Sequence, residues 1–481
     1  MIRKVPLIVI LGSTGTGKTK LSLELAERFG GEIISADSMQ VYTHLDVATA
    51  KATKEEQSRA RHHLLDVATP AEPFTVTHFR NAALPIVERL LSKDTPPIIV
   101  GGTNYYIESL LWDVLVDSED KQTEGTPLKE HRKQEDLDAM STTDLHHYLA
   151  QIDAGSANRI HPNNRRKILR AIEVYQETGQ TLTKKLAEQR AQPGGNRLGG
   201  PLRYPHIVLL WLRCQQEVLN VRLDTRVDGM LAQGLLRELR EFHNAHHTTT
   251  VQAYTSGVLQ TIGYKEFVPY LLNHDQNEDE KIEEYLRNHS YKLPSQKELQ
   301  EEGLPDGLDM LRNCCEELKL VTRRYSKKQL KWIYNRFLAS KDRQVPDLYE
   351  LDTSDVAAWP EAVYHRAETI IESYRKGMEC EIKPMEKKEH PGADLDEETS
   401  HFCATCERHF IGEYQWGVHL KSNKHKRRKE GQRKREREQD IKLSTDQLLA
   451  KKQREDCKEK DKGEGEAQLS ASQVKDTDKA M

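Results

Sequence analysis

The sequence predicts an α/β fold: a parallel sheet with helices on its faces, carrying a helical insert and followed by a small metal-held module. Three observations predict it. Short apolar, β-branched runs alternate with segments of helical period, as in strand–helix–strand units joined by right-handed crossovers. A glycine-rich pattern with phosphate-binding spacing joins the first run to the first helical segment. Two cysteines and two histidines recur at metal-ligand spacing in the C-terminal part.

The elements follow in order. Val5–Leu11 is a continuous apolar run, which suits a strand buried on both faces. Lys18–Phe29 has helical period, with Gly30-Gly31 as its stop. Glu32–Ala36 reads as a second strand, Val76–Leu91 as a helix, and Pro97–Val100 as a third strand ending at Gly101-Gly102. A helix is expected from Asn104. His206–Leu212 is another buried strand, followed by a charged helix over Gln215–Glu241. Lys121–Leu149 is polar and helical, part of an insert at about 115–200; Glu278–Lys319 is charged, weakly periodic, and reads as a peripheral extension. These place a main domain at 1–380, a linker rich in Lys, Glu, Pro and Asp at 381–400, a small module at 401–428 and a charged, disordered tail at 429–481.

Composition narrows the function classes. Of 481 residues 31% are charged and 36% apolar, so part of the chain is expected to lie outside a packed core. The net charge of −4 hides an uneven spread: ten Lys/Arg stand against two Glu between Lys421 and Arg437. The longest apolar runs are far too short to span a membrane. Seven scattered cysteines do not make a disulfide framework, so a reducing compartment is expected. The first strand leaves no room for a presequence, which points to the cytoplasm, and the Lys424–Arg437 run doubles as a nuclear-localisation pattern. A monomer is expected.

Gly12-Ser13-Thr14-Gly15-Thr16-Gly17-Lys18-Thr19 fits G-x-x-x-x-G-K-[ST] between a strand and a helix, making the sheet P-loop NTPase-like. Glycines let backbone N–H groups turn inward around an anion, and the helix N-terminus adds partial positive charge. Lys18 supplies a full charge, and the Thr19 hydroxyl can ligate Mg²⁺ bound to phosphates. Gly12, Thr14, Gly15, Thr16, Gly17, Lys18 and Thr19 are thus the candidate diphosphate residues. A nucleotide-hydrolysing protein also needs a strand ending in a Mg²⁺-binding Asp. Here Ile98-Ile99-Val100 runs into Gly101-Gly102-Thr103 instead, and Ile33–Ala36 leads to Asp37. Ligands of parallel sheets sit beyond the carboxyl ends of strands, so Asp37 and Thr103 both face the loop's anion. Asp37 is either a general base or a loop cap.

Several blocks carry a resemblance. Ser35–Tyr42, Gly101–Tyr106, His161–Arg166 with Arg170–Val174, Ile262–Glu266 and Thr322–Trp332 resemble, in order, the signature segments of the tRNA dimethylallyltransferases (tRNA isopentenyltransferases). Asn164 stands where that family usually has Asp, and Ile172 where it usually has Leu. The matches span about residues 5–337, and the C-terminal module makes the plan most similar to eukaryotic members.

The resemblance implies transfer of a dimethylallyl group from its diphosphate to N6 of the adenosine 3′-adjacent to the anticodon of tRNA. It implies Asp37 as base with Thr103 beside it, and one of Arg222 and Arg226 on the diphosphate, with Arg226 favoured. Met39, Gln40, Tyr42 and the Gly263-Tyr264 segment become candidates for the channel that takes the flipped adenosine, and Asp37, Ser38, Thr103 and Lys265 are further candidates for contact with the tRNA. Arg165, Arg166, Arg170, Arg323 and Lys327 are candidates for tRNA phosphates. A mitochondrial pool is a further implication.

Cys403-x₂-Cys406-x₁₂-His419-x₅-His425 has C₂H₂ zinc spacing, with Phe410 and Trp416 placed for a small core. Such a short module needs the metal for folding energy. Its His–His gap resembles RNA-associated fingers of the matrin type, and its partner is tRNA or a protein. Two competing functions stay open at this stage: a P-loop small-molecule or nucleotide kinase fused to a finger, and a nucleic-acid-binding adaptor whose P-loop is a relic.

Overall fold

The computed structural model describes residues 5–115, 132–246, 257–340, 342–388, 395–396 and 398–473, with side chains to residue 452. The chain forms two compact units: Met1–Lys121 with Lys184–Ala393, and Gln122–Thr183 with Asp394–Met481.

The first unit is built on a six-stranded sheet: β1 (Leu7–Gly12), β2 (Glu32–Ser35), β3 (His62–His63), β4 (Pro97–Val100), β5 (Ile207–Arg213) and β6 (Leu348–Asp352). All pairs are parallel, in the order β3-β2-β4-β1-β5-β6. β1 is central, with Ile8 opposite Ile98 on one side and Val208 on the other. Its side chains alternate between two cores. Leu7, Val9 and Leu11 pack with Phe79, Val87, Trp112 and Phe337; Ile8 and Ile10 pack with Leu21, Leu25, Ile370 and Ile371. All five β1 side chains are fully buried, each contributing roughly 1.5–3 kcal/mol. This anchors the end of β1, where the glycine-rich loop begins.

The Lys18–Phe29 helix has the expected bounds. The two edge strands β3 and β6 carry no strong sequence signal, being short and mixed in polarity. The helix expected over Gln215–Glu241 is two helices, Gln216–Ala232 and Leu235–His246, because Gly234 adopts φ +90 between them. The stretch Glu278–Lys319 is not peripheral: Ile282, Leu286, Leu308, Leu311, Cys315 and Leu318 join a buried cluster with Leu239, Phe242 and Phe267. Its apolar residues are spaced at helical intervals among many Glu and Asp, which weakens the apparent period.

In the second unit, the insert packs helices Thr142–Ile152, Ala154–Arg159 and Arg165–Thr178 around Leu145, Leu149, Ile168 and Ile172. Of the helix expected over Lys121–Leu149, residues 121–131 lie outside the described residues. The finger is an antiparallel hairpin, β7 (Ser400–Cys403) with β8 (Arg408–Ile411), followed by helix Glu413–Lys421. Within this unit the finger's His409 ring meets His161 of the insert edge-on at 6.0 Å. The tail expected to be disordered from residue 429 is instead helical, over Asn423–Gln473. Lys, Arg, Glu and Gln favour helix and no proline interrupts it, although apart from buried His425 and half-buried Gly431 the helix is exposed through the residues whose side chains are described.

Candidate active site

The loop after β1 is shaped by two glycines that take the left-handed region, Gly15 (φ +82) and Gly17 (φ +87). A Cβ on Gly17 would also lie 2.7 Å from the Trp359 ring. Gly17 caps the Lys18–Phe29 helix without a side-chain acceptor, so its first N–H groups are left for an anion. Inside the loop, the Thr16 hydroxyl and the Lys18 ammonium both donate to the Ser13 carbonyl, each at 2.8 Å.

A cavity of about 590 Å³ opens from this loop. Thr14, Gly15, Gly17, Lys18, Thr19 and Arg226 line one end; Asp37, Ser38, Met39, Gln40, Thr261 and Lys265 line another part. Arg226 donates to the Thr14 hydroxyl at 3.2 Å. Burial lowers Lys18 to about 8, the Asp37 carboxylate opposing this and Arg226 adding to it. Burial lowers Arg226 too, again opposed by Asp37. Two desolvated cations therefore face the cavity, an arrangement that favours a multiply charged anion.

Of the two expected readings of Asp37, the structure shows the loop cap. One oxygen, Oδ1, accepts the Met39 N–H at 3.0 Å and caps the loop. The other, Oδ2, points to Gly102, lying 2.9 Å from where a Cβ there would sit. Thr103 fixes the neighbouring residue: its hydroxyl accepts the Ser38 N–H at 2.9 Å and donates to the Ser38 hydroxyl at 3.0 Å. Gln40 holds the next loop, donating to the Thr49 and Ala50 carbonyls at 3.1 and 3.2 Å.

The other candidate residues fall in several places. Arg222 does not line the cavity; it sits one helical turn before Arg226, level with the loop after β6, and donates to the Thr353 and Ser354 carbonyls at 2.6 and 2.8 Å. Tyr264 is fully buried, with its hydroxyl 3.0 Å from His243 Nδ1, and packs in the core. Gly263 (φ +106) packs on Ala48 while Gln260, Thr261, Ile262 and Lys265 reach the cavity. Arg323 pairs with Asp224, Lys327 is exposed, and Lys328 lines the cavity, because the facing side of the helix is set by Tyr325 and Gln329. In the insert, Arg165 caps the carbonyls of Leu137, Asp138 and Met140, Arg170 lies 3.5 Å from Glu173 and Glu177, and Arg166 is exposed.

Sequence reasoning missed Tyr325 and Gln329 as site residues. They sit one turn apart on helix Leu308–Ile333, inside the Thr322–Trp332 block, and both line the cavity. Their i, i+4 spacing was the available signal.

A family model described as IPP transferase matches residues 40–336. The chain belongs to the IPP transferase family. The tRNA dimethylallyltransferases of Mus musculus and Homo sapiens are 40% and 41% identical to it, with 88% of this chain and 85% of each relative covered. A solved eukaryotic dimethylallyltransferase acting on tRNA superposes with a TM-score of 0.69 at 27% identity, covering 90% of this chain and 99% of that one. A second model, described as a zinc-finger double-stranded RNA-binding domain, matches residues 400–426.

The finger's four expected ligands come together. One donor atom from each of Cys403, Cys406, His419 and His425 lies within 4.8 Å of the others, and all four residues are buried. His425 Nδ1 stands 3.6 Å from Cys403 Sγ and 3.5 Å from Cys406 Sγ. Tetrahedral Zn²⁺ bonded to sulfur and nitrogen separates such donors by about 3.6 Å. His419 Nε2 is buried without a hydrogen-bond partner, as a metal ligand would be. Phe410 stacks on His419 at 3.9 Å, with Trp416 beside it at 5.7 Å, forming the small core expected of them. The residues fit structural zinc.

Proposed function

We infer that this chain transfers a dimethylallyl group from dimethylallyl diphosphate to N6 of the adenosine on the 3′ side of the tRNA anticodon. The carrying observation is one cavity with desolvated Lys18 and Arg226 at one end and the Asp37 carboxylate within their electrostatic reach. The P-loop holds the diphosphate. As the C1–O bond breaks, its electron pair leaves with the diphosphate, and Lys18, Arg226 and the loop N–H groups stabilise the growing charge. The N6 lone pair forms the new bond to C1, and the N6 proton passes to Asp37. A stacked base cannot reach this cavity, so the adenosine is flipped in past Met39, Gln40 and Thr261.

Mg²⁺ fits at Thr19, which lines the cavity next to Lys18, where it would neutralise diphosphate charge. Exposed Arg166 is available to tRNA phosphates, and the finger with its basic extension adds affinity for the tRNA. The chain acts as a monomer, in the cytoplasm and, through the Lys424–Arg437 run, the nucleus. No helix among the described residues is long and apolar enough to cross a membrane.

The test supplies labelled dimethylallyl diphosphate, Mg²⁺ and unmodified tRNA with adenosines at the anticodon edge, and in parallel γ-labelled ATP. Label in tRNA is expected. Phosphoryl transfer from ATP alone would establish a kinase instead, and no turnover of either would leave a binding protein.

A further inference from the structure

Gln329 is 3% exposed, and both ends of its side-chain amide are used. Oε1 accepts the Thr14 N–H at 2.9 Å, and Nε2 donates to the Gly102 carbonyl at 2.8 Å. A backbone donor at one end and a backbone acceptor at the other leave only this orientation of the amide. One side chain thus bridges the loop after β1 to the loop after β4. The β1–β4 ladder ends at Ile10 and Val100, and among the described residues no backbone hydrogen bond joins the two loops beyond it.

The second loop is the one that abuts the base. A Cβ on Gly102 would meet Gln329 Nε2 at 2.8 Å, Asp37 Oδ2 at 2.9 Å and the Tyr325 hydroxyl at 4.0 Å. Amide, carboxylate and phenol therefore converge on Gly102. Tyr325 donates to the same carbonyl at 3.4 Å, and the Gln329 carbonyl itself accepts from Asn104 at 3.4 Å. Gln329 connects the donor's cradle to the surroundings of Asp37 without facing the transferred group as an acid or base.

We propose that Gln329 is a positioning residue for transfer: its amide fixes the separation between the diphosphate cradle and Asp37, so that C1 of the donor and N6 of the acceptor meet at attack distance. This rests on the transferase reading. A misplacement of about 1 Å costs on the order of a hundredfold in rate while leaving each substrate's own contacts in place. The loss therefore falls on kcat and spares KM.

The experiment measures kcat and the donor KM for the full chain carrying Gln329→Met, which keeps length and removes both hydrogen bonds. The expected result is a kcat lower by roughly 30–100-fold with donor KM within about threefold of wild type. Unchanged kcat, or a loss confined to KM, overturns the proposal. Gln329→Glu gives an independent readout that serves even if the Met variant fails to fold. Its protonated carboxyl can both accept from Thr14 and donate to Gly102, whereas its carboxylate meets the Gly102 carbonyl and Asp37 unfavourably. The ratio of its activity to wild type should therefore rise at least about fivefold between about pH 8.5 and about pH 6. A ratio flat across that range contradicts the proposal. Wild-type chain that transfers no label would instead overturn the transferase reading itself.

Discussion

The donor and acceptor parts of the cavity are built on different principles. The cradle proposed for the donor is one contiguous loop, Gly12–Thr19, with its Lys18 ammonium, and Arg226 joins it through the Thr14 hydroxyl. The acceptor side is assembled from separate segments: Asp37–Gln40, the loop at Thr49–Ala50, Gln260–Lys265, and the Leu308–Ile333 helix. Side chains hold those segments in place. Gln40 grips Thr49 and Ala50, Glu238 accepts the Val47 and Ala48 N–H groups at 2.7 and 2.9 Å, and Lys51 pairs with Asp46 and Asp66 at 2.6 Å each. A simple diphosphate can be gripped by one loop and the cations beside it. A flipped base needs a wall whose parts come from across the chain.

That contrast predicts separable losses. The largest belongs to Asp37→Ala: kcat for transfer falls by about 10³–10⁴-fold while pyrophosphate binding stays within about twofold. Binding by isothermal calorimetry alongside single-turnover kinetics would check it. Near-normal turnover would remove Asp37 from the base role.

Next is Lys18→Ala, expected to lower kcat/KM for the donor by about 10²–10³-fold. The same residue gives a pH signature. Its ammonium is lowered to about 8 in the free protein, and only the charged form attracts the diphosphate. Donor kcat/KM should hold below that pH and fall above it, approaching tenfold per pH unit. A profile flat through that region would show that Lys18 does not titrate there.

Arg226 and Arg222 sharpen the comparison further. Arg226→Ala should lower donor kcat/KM about a hundredfold, whereas Arg222→Ala, which loses bonds to Thr353 and Ser354, should change it less than about threefold. Equal losses in steady-state assays would mean that the cradle extends farther along the helix than its lining implies.

The smallest effect on chemistry belongs to the finger. Cys403→Ser should abolish zinc retention and unfold the finger while shifting the main unit's melting temperature by less than about 2 °C. The tRNA KM should rise about tenfold with donor KM unchanged. Zinc content by atomic absorption and steady-state kinetics check the two halves of this statement.

The same physical difference decides what can be read from the sequence. The cradle and the finger were legible because each is a short motif whose spacing is its geometry: Gly17 and Lys18 are adjacent, and Cys403, Cys406, His419 and His425 lie in one short segment. The central strands were legible from continuous apolar runs buried on both faces. β6 was not, since Leu348–Asp352 becomes a strand only by pairing with β5, more than a hundred residues earlier. On the acceptor side the blocks were found but the faces were shifted. Tyr264 went into the core and Lys265 to the cavity, and Gln329 was passed over, because a helix's facing side is chosen by what packs around it. The register between Arg222 and Arg226 was likewise open until the loop after β6 was placed.

The central claim, that one cavity holds a leaving diphosphate while Asp37 takes a proton from N6, is tested most directly by nucleoside analysis of tRNA after incubation with the chain, Mg²⁺ and dimethylallyl diphosphate. The account predicts N6-dimethylallyladenosine at the anticodon-adjacent position, one pyrophosphate released per modified nucleoside, and neither product with Asp37→Ala. Pyrophosphate release without a modified adenosine, or the prenyl group on any other nucleophile, would contradict it.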